Sequence, residues 1–193
     1  MTDKDIVEQR ANDKEFIMQT IEVSPLLVEF ASEELRDDKE VMNLAIEKDA
    51  GALEFASDRL KNDKETLLNA VKQKGWVACY ASDNLRKDKD VMLEAVKNDG
   101  QVLYYASKEL RDDKEVVMEA IKNKPIILKF ASKRLRGDKD IATEVLNKDK
   151  NCITYLTDDI KKDEDIQKIL EEWYITIKGG LNVRFNSSRK KIK

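Results

Sequence analysis

Aspartate recurs with the regularity that a site would need. Asp13, Asp38, Asp63, Asp88, Asp113, Asp138 and Asp163 fall in one 25-residue register. Carboxylates build acid/base pairs and hard-cation sites, and Asp37-Asp38, Asp112-Asp113 and Asp158-Asp159 set two side by side. A catalytic pair, however, needs one place where pKa values are driven apart, and this series offers equal copies. Helix capping explains it with fewer assumptions, since an aspartate before a helix accepts hydrogen bonds from the first-turn N–H groups. The chain has no histidine, which removes His-based triads and imidazole metal sites. Gly-rich phosphate loops, GxSxG, CxxC and DxDxDG calcium loops do not occur. Cys79 and Cys152 sit at non-equivalent repeat positions and read as free thiols of a reducing compartment. No catalytic residue, metal or cofactor is expected, and the chain is read as a cytoplasmic non-enzyme (in a host cytosol if it is an effector).

A second column is basic: Arg36, Lys61, Arg86, Arg111, Arg136 and Lys161. One cation per repeat could track a phosphate backbone, as modular RNA readers do. The bland account is a salt-bridge ladder to the aspartates two residues on. Residues 1–177 hold 30 basic and 39 acidic side chains, a net of −9 that repels nucleic acid, whereas Lys178–Lys193 holds six bases and no acid. Nucleic-acid binding through Arg36, Arg86, Arg111 and Arg136, with Arg184, Arg189, Lys190 and Lys191 of the tail, is therefore the alternative function.

These columns need elements to carry them. Six full units run from 13 to 162 and a seventh starts at 163. Val116, Val117, Ala120 and Ile121 share one helical face, and Ile127, Leu128, Ala131 and Leu135 suit a second helix. Pattern alone leaves open whether Ser132 starts a separate turn. Short helices cannot bury their own apolar stripes, so units must stack, with stability summed over units and interfaces. At 8–10 Å per layer, six units predict a curved rod on the order of 60 Å long. The aromatic column Phe30, Phe55, Tyr80, Tyr105, Phe130 and Tyr155 is expected in the interior, as a ladder between second helices. The fold class is thus all-α, a tandem helix-hairpin solenoid. Its expected parts are a capping helix at 1–12, the solenoid at 13–172, a β-hairpin cap at 173–186 and a basic disordered tail at 187–193. The hairpin is read from Tyr174–Ile177 and Leu181–Phe185 around Gly179-Gly180.

The unit at 113–137 resembles a short helical repeat known as domain of unknown function 4116. The likeness lies in Asp38–Val41, Ala45-Ile46, Leu53–Ser57 and Leu110-Arg111. It implies tandem α-helical repeats over most of the chain and points to adaptors or effectors. It carries no chemistry.

Function is then sought where the repeat varies. One position runs Leu26, Gly51, Trp76, Gln101, Ile126, Asn151, and the position three residues later runs Glu29, Glu54, Cys79, Tyr104, Lys129, Thr154. Residues i and i+3 share a helix face, which sets Trp76 and Cys79 beside Gln101 and Tyr104, with Leu26 and Ile126 further along. An aromatic cluster on a charged rod is a sensible hot spot for an unidentified protein partner; the alternative is a large residue filling local core.

Overall fold

The computed structural model describes residues 3–189, with side chains through residues 4–176. Each repeat opens with a ten-residue α-helix: Lys14–Val23, Lys39–Lys48, Lys64–Gln73, Lys89–Asn98, Lys114–Asn123 and Lys139–Lys148. The repeating aspartate caps every one, as where Asp113 Oδ1 accepts from the N–H groups of Glu115 and Val116 at 3.0 and 3.2 Å. From Lys39–Lys48 onward each buries an i, i+1, i+4, i+5 stripe such as Val116, Val117, Ala120 and Ile121, while the first buries Ile17 and Ile21 with Phe16 and Thr20 half-covered. Ala45, Ala70, Ala95 and Ala120 are wholly buried, and successive long helices pack side by side along the stack.

The second segment departs from the expected helix. Pro25–Phe30, Ala50–Phe55, Gly75–Tyr80, Gly100–Tyr105, Pro125–Phe130 and Lys150–Tyr155 are 3-10 helices of six residues each. They stop because the following Ala (Leu156 in the last) turns extended. The next Ser then caps a short separate turn, its hydroxyl accepting from Leu35, Leu60, Leu85, Leu110 or Leu135 N–H. Ile127, Leu128, Ala131 and Leu135 are all buried as the pattern required, but from two elements rather than one. The same Ser donates its own N–H backwards: Ser57 to Arg36 O at 3.1 Å and Ser132 to Arg111 O at 2.9 Å. A backbone hydrogen bond therefore stitches each repeat to the one before.

The aromatic column also needs correcting. Its rings flank the core, half-buried, and Tyr105 is 38% exposed. In a 3-10 helix side chains at i and i+3 eclipse, which aligns positions 27 and 30 along the border of the core.

The terminal hairpin is overturned as well. Glu164–Arg189 is one continuous helix, and the described residues contain no strand. Asp163 caps it with hydrogen bonds from Asp165 and Ile166, so the helix is already nucleated before the Gly179-Gly180 pair is reached. Where earlier repeats end the long helix at Ser24, Asp49, Lys74, Asp99, Lys124 or Asp149, the seventh carries Tyr174 and no stop follows. An isolated hairpin would have been marginal in water. Of the expected tail, residues 187–189 continue this helix and 190–193 lie outside the described residues. At the other end the helix Asp3–Gln9 packs on the first 3-10 segment.

Candidate protein-binding face

The carboxylates lead to structure. Each repeat-opening lysine reaches forward to two acids of the next repeat. Lys14 Nζ lies 2.7 Å from both Asp38 and Glu40, Lys64 2.8 Å from Asp88 and Asp90, and Lys114 2.9 and 2.6 Å from Asp138 and Asp140. Lys39, Lys89 and Lys139 repeat the geometry. The Lys14 ammonium holds the Asp38 carboxyl below its ordinary range, and hydrogen bonds to Asp113 and Glu115 push Lys89 up to about 12. The adjacent acids are taken too: Asp37 accepts from Ser57 and Arg59, and Asp112 from Ser132 and Arg134. Among the described residues no three acids or cysteines converge as metal ligands.

The basic column does not pair with the aspartates two residues on, because the lysines already hold them. Its guanidiniums lie instead along the seam between repeats. Arg86 donates to Cys79 O at 2.7 Å with its Cζ 6.0 Å from the Tyr105 ring centre, and Arg136 donates to Tyr155 O at 3.3 Å. The Nε atoms of Arg36, Arg86, Arg111 and Arg136 are buried without a hydrogen-bond partner. The side chains of Arg184, Arg189, Lys190 and Lys191 lie outside the described residues.

The variable positions sit on the outer edge of the 3-10 segments, where eclipsing lays i over i+3. Leu26 is 47% exposed, Trp76 42%, Tyr104 56% and Ile126 42%. Gln101, Tyr104 and Ile126 come together in a groove of about 480 Å³ between repeats four and five, with Phe130, Tyr105, Lys124 and Lys129 completing it. Tyr104 stands edge-on to Phe130, centroids 4.9 Å apart, and to Tyr105 at 5.1 Å. Trp76 does not line this groove; it packs edge-on against Tyr80 at 5.9 Å. Leu26 lines a separate groove with Pro25, Glu29 and Phe30. Cys79 is half-buried and Cys152 buried, both free thiols; burial pushes Cys152 up to about 11 and raises Cys79 as well. Phe130 and Tyr105 were missed as groove residues because an aromatic at helical spacing reads as core. The shorter 3-10 period is what brings them to the edge.

A stack of 25-residue units, each joined to its neighbours by backbone, packing and ion pairs, defines an α-solenoid repeat protein. The chain belongs to the family described as domain of unknown function (DUF4116), whose model matches residues 13–61, 38–86 and 88–136. No curated protein and no solved structure matches the chain. No helix among the described residues is long and apolar enough to cross a membrane.

Proposed function

We propose that this solenoid is a non-enzymatic, cytoplasmic protein-binding module, an adaptor, effector or inhibitor scaffold, that engages its partner along the outer edge of its 3-10 segments. The observation that carries this is Tyr104, more than half exposed, with its ring braced by Tyr105 and Phe130 over the Ile126 groove. A large, rigid, partly apolar ring in a preformed depression is the kind of anchor that dominates binding energy. Nucleic-acid binding is less well supported, since the Arg86 and Arg136 guanidiniums are already spent on backbone carbonyls.

The test compares wild type with Trp76→Ala/Tyr104→Ala in affinity capture from the native cell, alongside thermal melting. Loss of a specific co-purifying protein with unchanged melting supports the interface. A melting temperature that collapses with the double substitution assigns these rings to stability and removes the proposal.

A further inference from the structure

The outer face carries a charge pattern that its own chain does not answer. In the lysine ladder each ammonium is shared by two acids of the next repeat. On the 3-10 side, exposed Glu29 and Glu33 of repeat one and Asp58 of repeat two, like Lys108 of repeat four and Lys133 of repeat five, have no ion-pair partner among the described residues. Lys129 lies only over its neighbour Phe130, 4.8 Å from the ring centre. From Ala120 to Gly137 the chain holds six bases and no acid; from Thr20 to Asp37 it holds five acids and one base. Repeats one and five are otherwise alike there, with Pro25, Leu26 and Phe30 in one and Pro125, Ile126 and Phe130 in the other. The rows adjoin: Phe30 borders the groove of Leu26 and Glu29, and the equivalent Phe55 borders that of Glu33 and Asp58.

Resting on the protein-binding function proposed above, we propose that a partner of this face is a second copy of the same chain, docked antiparallel about a twofold axis through repeat three. A twofold axis lying across the stack reverses the order of repeats and returns each row to itself, giving one self-complementary patch. Leu26 then meets Ile126 of the second copy, Glu29 meets Lys129, Glu33 meets Lys133, and Asp58 meets Lys108. At the axis Trp76 meets Trp76 and Asp83 meets Asp83, each Asp83 lying 3.8 Å from Arg86 of its own repeat. Apolar anchors at the centre and both ends, flanked by charge, match the anatomy of a specific interface.

Charge and the apolar pairs together disfavour the competing registers. A parallel pair, whose axis runs along the stack, sets the acidic repeat one on its own copy and the basic repeat five on its own copy. An axis between repeats three and four keeps Asp58 against Lys133 and Asp83 against Lys108, but it sets Glu33 and Glu34 against Asp158 and Asp159 and puts Leu26 against Asn151. Like charges so placed oppose association. Five repeats at about 10 Å each need contact only about 16 Å across to reach the roughly 800 Å² per partner of a standard interface.

Light scattering on the full chain over a concentration series tests this directly. Wild type should be a dimer. Glu29→Lys/Glu33→Lys and Lys129→Glu/Lys133→Glu should each weaken self-association by about a hundredfold or more, through like charges facing at both ends. Mixing the two variants should restore a dimer, because each reversed end then faces its complement. A bifunctional maleimide should link Cys79 to Cys79 across the axis, and the link should vanish in Cys79→Ala. A monomeric wild type, a dimer indifferent to both reversals, or a mixture that stays monomeric overturns the proposal. A monomeric wild type leaves capture of a foreign partner through Trp76 and Tyr104 standing, so the two failures are distinguishable.

Discussion

The lysine ladder and the 3-10 edge are built from the same repeats and obey different rules. Along the ladder, position, residue type and partner are nearly invariant: an aspartate caps, a lysine reaches forward, and an acid two residues on completes the bridge. Along the 3-10 edge the same spacing carries Leu26, Gly51, Trp76, Gln101, Ile126 and Asn151, with no common chemistry. Regularity marks what holds the stack together; irregularity marks where its surface is free to differ. The ladder even ends by rule, with Arg10 taking Asp13 at one end and Glu164 standing where a seventh lysine would be.

That contrast can be broken most forcefully from within. Leu128 is fully buried, so Leu128→Ala should cost about 2–5 kcal/mol in chemical denaturation, as lost burial plus a cavity. Close approach is the next test. A Cβ on Gly100 would lie 2.4 Å from Ala120 O, while Gly100 N–H donates to Asn123 of the next helix. Gly100→Ala should therefore cost about 1–3 kcal/mol, read by the same denaturation. Removing one cap, Asp113→Ala, should cost about 1 kcal/mol.

Acid should weaken every rung slightly. Asp38 and Asp163, hydrogen-bonded to Lys14 and Lys139, titrate below the ordinary 3.8. Their contribution is complete above that value and is lost as pH falls through the lowered pKa. The lysines act in the opposite sense. Their contribution is complete below 10.5 and disappears only as pH rises through the raised value, about 12 for Lys89. Melting temperature should be flat between those limits and fall below pH 4 more gently in Lys89→Met, which has one rung fewer. The smallest effect belongs to the edge: Ile126→Ala should change stability by no more than about 1 kcal/mol, because 42% of its surface is already in water. A cost as large as that of Leu128→Ala would erase the distinction between the two regions.

Much of this was legible in the chain. The aspartate register, the apolar face Val116-Val117-Ala120-Ile121 and the need for stacking follow from spacing alone. The exposed set Leu26, Trp76, Tyr104 and Ile126 was legible as variation against a fixed background. Three things were not. The 3-10 form of the second segment depends on a backbone choice that two adjacent apolar residues do not disclose. The partners of Lys14 and its equivalents lie 24 and 26 residues away, across an interface, whereas sequence spacing suggested local pairing of the basic column. The C-terminal residues alternate like strands, yet a helix nucleated at Asp163 meets nothing that stops it.

Primary structure thus determined the unit, its period and its capped first helix, because hydrogen bonds within a few residues and one apolar stripe are local properties. Tertiary structure decided which charge meets which, how tightly Gly100 must sit against the next helix, and which aromatic rings reach the surface. Those outcomes depend on the separation and rotation of neighbouring repeats, which no single repeat contains.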